Sequence, residues 1–267
     1  MLSFFHGVFS NEKEKRQKEN NQKLFEVCHT YGIQKAIRNG ANVDWVHERL
    51  LLTPLQFACH MGRLAVVRVL LPHDADCNKR HNIGFRTPLH YACMGGHSEI
   101  VQLLLQHGVD VHEPDKYGNT PLHDACMNRE TPIVEWLLQH GCDVNEANNS
   151  AETPLHVACR HRHLSIARVL LNHQADPNVT TLKGRTPLFF ACQNDHVPLV
   201  QLLLRHQAIV DVVDSQGLTA LHSACSTSMN AASFHGQVSV IFLLLRSDPG
   251  IIARLKRFGT AEELTAK

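Results

Sequence analysis

The chain has 267 residues, 43% of them hydrophobic, and its 26 Lys and Arg nearly balance 25 Asp and Glu for a formal charge of +1. That balance gives no electrostatic reason to expect nucleic acid as the main partner, and no apolar run approaches the length that spans a bilayer. The apolar content is enough for a sizeable core, and length alone admits one domain or two.

Met1 to Phe9 carries Leu2, Phe4, Phe5, Val8 and Phe9. The stretch is too short for a secretory core and has neither a basic leader nor a small-residue cleavage site. An intracellular protein is expected, cytoplasmic with the nucleus as a second compartment. Asn11 to Asn20 interleaves Lys13, Lys15, Arg16 and Lys18 with Glu12, Glu14 and Glu19. Alternation of sign predicts a solvated helical lead-in in place of a localisation signal. Leu24 to Asp44 reads as an entering half-repeat of two short helices, built on Leu24, Phe25, Val27, Cys28, Ile33, Ala36 and Ile37. It is shorter than the units that follow, so its second helix is expected to be clipped.

A phrase, Thr-Pro-Leu-His-x-Ala-Cys, then begins at Thr53, Thr87, Thr120, Thr153, Thr186 and Thr219, in steps of 34 and then 33 residues. Such regularity means one supersecondary unit stacked along a line. Threonine is a favoured N-cap. Proline after it sits at the first helical position, where its missing N–H costs nothing. The leucine opens an apolar stripe, and Ala-Cys supplies two small residues for close helix approach. Gln56 and Phe189 replace the histidine, and Ala220 replaces the proline.

Second helices follow, with runs such as Ile100-Val101-Gln102-Leu103-Leu104-Leu105, whose two apolar faces suit a helix packed on both sides. Gly108 and Gly141 end two of them in the left-handed conformation that glycine adopts most easily. Asp74, Gln174 and Gln207 stand at the equivalent places, so strain or a different shape is expected there. Gly118, Gly184 and Gly217 mark tight turns before the next phrase. The first two connections are one residue longer than the rest. The last repeat carries an insertion of eight residues within Ser226 to His235, and Gly259-Thr260 falls where the next phrase should open.

The phrase, quoted in full as Thr87-Pro88-Leu89-His90-Tyr91-Ala92-Cys93, resembles the start of the first helix of an ankyrin repeat, and the resemblance covers about residues 20 to 266. It implies an all-α repeat solenoid, right-handed, of paired antiparallel helices with β-hairpin-like connections. The expected division is a polar and aromatic tail over 1–19, the array over 20–259 and a partial helix over 260–267. In that family the hairpin tips and first helices line a concave protein-binding groove. By position the tips offer Phe85, Arg86, Lys116, Tyr117, Asn119, Asn149, Glu152, Leu182, Lys183, Arg185, Gln216 and Leu218. The two places after each Ala-Cys add His60, Met94, Met127, Asn128, Arg160, His161, Gln193 and Asn194. Leu137, Asp143, Val144 and Asn145 resemble the pattern read by an asparaginyl hydroxylase, which makes Asn145 a candidate for modification.

The nine cysteines, six of them in the phrase, are expected to be reduced and hydrophobe-like. Cys159, His161 and His163 share a helical face, yet a zinc site needs more convergent ligands than these. No metal and no cofactor is expected. Gly-x-Ser-x-Gly and His-Glu-x-x-His are absent from the sequence. The function expected is a monomeric, non-enzymatic scaffold or adaptor binding one or more proteins, without nucleic acid or membrane. The alternative is a substrate-recognition subunit of a cullin-type ubiquitin ligase, where the Ala-Cys ending is also frequent; its C-terminal recruitment box is not visible here.

Overall fold

A computed structural model describes residues 14–25, 30–81, 83–226 and 234–247. The aromatic start, Val27, Cys28, most of the Ser226–His235 insertion and residues 260–267 lie outside these. The chain divides into two compact units, Met1–Lys116 and Tyr117–Lys267. In the first, α1 covers 14–25, followed by α2 (Thr30–Arg38), α3 (Pro54–His60), α4 (Leu64–Leu70), α5 (Pro88–Met94) and α6 (Ser98–Gln106). The second holds α7 (Pro121–Ala125), α8 (Thr131–Gln139), α9 (Pro154–Arg160), α10 (Leu164–Asn172), α11 (Pro187–Gln193), α12 (Val197–Arg205), α13 (Ala220–Ser226) and α14 (Phe234–Ser247). Among the described residues α-helix predominates and no strand occurs, so the fold is an all-α repeat array.

The phrase starts helices as its chemistry predicts. Thr53, Thr87, Thr120, Thr153 and Thr186 are extended, with φ between −77° and −90°, and each is followed by proline inside the first turn. Thr53 Oγ1 accepts from the Gln56 amide at 3.2 Å, and Thr186 Oγ1 from the Phe189 amide at 3.3 Å. Helices of seven or nine residues are too short to persist alone. Their stability therefore comes from stacking on neighbouring repeats. Leu55, Leu89, Leu122, Leu155 and Leu188 are fully buried beneath the phrase, and Ile100, Leu104, Ile133, Leu137, Ile166 and Leu170 beneath the second helices. In the first unit α3 packs on α5 and α4 on α6; in the second α9 packs on α11 and α11 on α13.

The phrase cysteines fit that close stacking. Cys59, Cys93, Cys126, Cys159 and Cys192 are buried and not in disulfides, and burial pushes the thiols of Cys59, Cys126, Cys159 and Cys192 far above the usual range. They pack as small hydrophobes and are poor nucleophiles.

The helix endings have one shape whatever the residue. Gly40, Gly108 and Gly141 have φ of 86°, 68° and 87°, and Asp74, Gln174 and Gln207 adopt 59°, 66° and 63°. Strain was thus the correct half of the expectation, at about 1–3 kcal/mol for a non-glycine residue held there. The clipped second helix is not found: α2 has nine residues, as many as α6.

The lead-in also does more than solvate itself. It ends on buried Leu24 and Phe25, and the Phe25 ring meets those of Trp45, His47 and Phe57 at 5.8, 4.9 and 5.5 Å. Asn21 Oδ1 accepts from the Asn42 amide at 2.7 Å, Asn20 Nδ2 donates to Asn39 O at 3.0 Å, and Gln17 Nε2 donates to Gly40 O. Asn145 and Asn178 do the same work between later repeats. Their Oδ1 atoms accept from the Asp176 and Ile209 amides, both at 2.8 Å, and their Nδ2 atoms donate to Gln174 O and Gln207 O. Helix α1 therefore supplies the first unit with the clasp that a preceding repeat would have made.

Candidate functional site

Five of the hairpin tips are each closed by one side chain that accepts from two amides. Asn148 Oδ1 takes the Ser150 and Glu152 amides at 2.9 and 3.0 Å, Thr181 Oγ1 those of Lys183 and Arg185, and Asp214 Oδ1 those of Gln216 and Leu218. The two longer connections place their extra residue at the tip and close it with a longer side chain. His47 Nδ1 accepts from the Arg49 and Leu50 amides, both at 3.2 Å, and His81 Nδ1 from Ile83 and Gly84 at 3.3 and 3.0 Å. The imidazole reaches where a short polar side chain would fall short.

Successive tips are tied together. The Lys116 amide donates to Gly84 O at 3.0 Å in the first unit. In the second, Asn149 donates to Tyr117 O, Leu182 to Ser150 O and Ser215 to Lys183 O, at 2.8 to 3.0 Å. Side chains repeat the tie. Arg86 Nε lies 3.3 Å from Asp115 Oδ2, and Arg185 Nε lies 3.1 Å from Asp214 Oδ2. Burial acts to raise the Asp214 carboxyl, but the Leu218 and Gln216 amides and the Arg185 guanidinium outweigh it and hold the group below the usual carboxylate range. Asn148 Nδ2 donates to Asn119 Oδ1 at 2.8 Å.

The sequence-derived candidates therefore fall into two sets. Arg86, Asn119, Glu152, Arg160 and Arg185 are partly engaged in bracing the face. Arg86 also reaches Met94 Sδ at 3.4 Å, Arg160 bridges to Glu152 and lies 4.8 Å over the Phe190 ring, and Arg185 lies 4.7 Å over Phe189. The other set is presented outward: Phe85 is 45% exposed, Met127 45%, Tyr117 56% and Leu182 76%. Lys116, Asn149, His161, Lys183, Gln193, Gln216 and His60 are exposed as well, while Asn128, Asn194 and Leu218 are half-buried. Asn194 Nδ2 is turned inward to Arg160 O at 2.8 Å.

Tyr91, Phe189, Phe190, His81, Arg80, Asp115 and Asp214 were missed by sequence reasoning. The variable place inside the phrase, occupied by Phe57, Tyr91 and Phe190, was the available signal for Tyr91 and Phe190, and the replaced histidine that for Phe189. Tyr91 sits between the His60 and His81 rings, at 5.5 and 6.4 Å.

The phrase histidines are structural. The Thr120 and Thr153 amides donate to Nδ1 of His123 and His156 at 3.2 and 3.1 Å. Nδ1 is thus the acceptor, and Nε2 donates to Glu152 O at 2.9 Å and Arg185 O at 3.1 Å. Burial pulls the His156 ring down to about 4, so it stays neutral near pH 7. Gln56 replaces histidine atom for atom: Oε1 accepts from the Thr53 amide, and Nε2 donates to Lys79 O and Arg86 O. Asn145 is exposed, although both ends of its carboxamide are used in the clasp. His161 and His163 stack face to face at 6.0 Å and 9°, and no metal-holding group of three or more His, Cys, Asp or Glu occurs among the described residues.

No helix of the described residues is long and apolar enough to cross a membrane. No curated protein matches the chain at a significant level. A family model described as ankyrin repeats, in three copies, matches residues 24–115, 79–148, 107–181 and 174–253. Those matches run through the capped phrase, the paired helices and the tied tips of both units, and the chain belongs to the ankyrin repeat family.

Proposed function

We propose that this chain is a non-enzymatic scaffold or adaptor whose hairpin tips and first-helix ends bind one or more proteins, acting as a cytoplasmic monomer with access to the nucleus. Ankyrin repeats are protein-interaction modules in general; the finer reading rests on what this chain puts on its rim. The observation that carries it is the exposure of Phe85, Tyr117, Met127 and Leu182 on a frame whose phrase leucines, Leu55, Leu89, Leu122, Leu155 and Leu188, are fully buried. Large apolar side chains left outside a closed core are what interfaces use. The frame is braced before any partner arrives, which lowers the ordering cost of binding.

Pulldown or proximity labelling with the parent chain, beside a variant in which Tyr117, Met127, Arg160 and Lys183 are all alanine, tests this reading. A partner lost from the variant, with helicity intact by circular dichroism, is the expected result. Equal recovery by both would remove function from this face. Cullin-adaptor subunits among the parent's partners would favour the ligase role.

Asn145 is proposed as a hydroxylation site on its exposure at a hairpin. One atom of O2 would enter its Cβ–H bond, and the other would be reduced as a 2-oxo acid co-substrate is oxidised with loss of CO2. A peptide containing Asn145 that gains no mass of one oxygen in cellular protein would remove the proposal.

A further inference from the structure

Three large apolar side chains stand exposed on two successive tips of the first unit: Leu50 and, on the next tip, Ile83 and Phe85. Phe85 is the most telling of them. It holds φ 55°, in the left-handed region, at the place where other tips have Gly118, Gly184 and Gly217. A bulky residue is disfavoured there, and Phe85 is 45% exposed, so burial in the free chain does not explain it. Strain of this kind clusters where a chain meets its ligand.

The ring is also held in place. Arg80 Cζ lies 5.0 Å over it, and that guanidinium is fixed in turn by Glu113 Oε2 at 3.1 Å and Pro114 O at 3.1 Å. The charges around the patch are unequal. In the eight residues before each of Thr53, Thr87 and Thr120, which form three successive tips, Arg49, Lys79, Arg80, Arg86 and Lys116 stand against Glu48, Glu113 and Asp115. Each of the three acids already faces a cation, Glu48 meeting Lys18, Glu113 meeting Arg80 and Asp115 meeting Arg86. The surface is therefore an apolar patch within an excess of positive charge.

We propose that the tips of the first unit dock an acidic segment of a partner protein, with an apolar side chain of that segment seated on Phe85 and its neighbours and its carboxylates set among the surrounding cations. Complementarity of charge steers the encounter and selects the partner, and the apolar contact holds it. The assignment rests on the protein-binding reading above and adds the chemistry of what is bound.

Four fluorescein-labelled peptides on one Gly-Ser frame test it by anisotropy with the full chain. One carries glutamates and a phenylalanine, the second glutamines and the phenylalanine, the third lysines and the phenylalanine, and the fourth glutamates alone. The first should bind, more weakly as salt is raised, and the other three at least tenfold more weakly. Phe85→Gly should lower its affinity at least tenfold with no fall in the urea midpoint, because glycine relieves the backbone. Lys79→Glu should lower the affinity severalfold. Equal binding of the glutamine peptide, or undiminished binding by Phe85→Gly, overturns the proposal. So does a fall in the Phe85→Gly midpoint, which would make Phe85 a folding residue. Binding to none of the peptides, while cellular partners are still captured by the parent, sinks the acidic segment and leaves the scaffold reading standing. Preferential binding of anionic vesicles or oligothymidylate, with no cellular protein captured, overturns both.

Discussion

Helix endings aside, the two units place most of their strained residues at different ends of the repeat. In the first, Leu51 and Phe85 hold positive φ on the hairpin tips, whereas the turns between paired helices use Gly62 and Gly96. In the second, tips at Gly118, Gly184 and Gly217 use glycine, with Ala151 the exception, and Arg162 and Asp195 take φ of 62° and 51° in the interhelical turns. The backbone path is the same in each case; what differs is where a side chain is imposed on it. The first unit thereby gains apolar surface at its tips and the second gains charge at its turns. A repeat fold can thus keep one core and vary its chemistry at positions that packing leaves open.

If the difference is confined to the rim, the cores must respond alike. Leu104 in the first unit and Leu170 in the second are both fully buried. Leu104→Ala and Leu170→Ala should each cost about 2–5 kcal/mol by urea denaturation. A cost below about 0.5 kcal/mol, as at neutral surface sites, would show that the cores also differ.

Acid offers a second contrast, between Gln56 and His156. Both make the cap bonds, but only the imidazole titrates. Its folded value of about 4 lies below its ordinary 6.5, so the unfolded chain binds the proton more readily. The stabilisation is complete above pH 6.5 and drains away as pH falls towards 4, by about 3 kcal/mol in all. His156→Gln should keep most of the stability at pH 7, as Gln56 does in the first unit, and flatten that acid limb. An unchanged slope in urea midpoints across this range would assign the limb to other groups.

The sequence shows the architecture well because the phrase is local physics repeated. Thr at the cap, Pro behind it and a leucine stripe set each helix start wherever they occur. It shows the rim only in part. Phe85, Tyr117 and Leu182 could be placed by repeat position, since exposure follows from the register. The roles of Arg86 and Arg185 could not, because Asp115 and Asp214, which engage them, lie a repeat away. Nor could the clasp of α1 be read. Gln17 belongs to a run that looks merely solvated and Asn21 directly follows it, and their value comes from orphan groups at Gly40 and Asn42. Long-range satisfaction of polar groups has no local signature.

Glycine exchange at the interhelical turn sharpens the comparison most finely. Arg162 is exposed, so Arg162→Gly removes little packing while relieving a left-handed backbone. It should raise stability by about 1 kcal/mol, the usual scale for such relief. Gly62 occupies the same place in the first unit with φ 68°, but the space a Cβ would need is filled by the His97 ring, whose nearest atom would lie 2.6 Å away. Gly62→Ala should therefore lower stability by about 1–3 kcal/mol, adding crowding to strain. His97 also holds His60 O at 3.2 Å, so a displaced ring loses that bond too. Opposite signs for the two variants would show that the first unit needs glycine for close approach and the second merely tolerates its absence. Equal signs would mean that the turns are alike in energy, and that the contrast lies in the side chains alone.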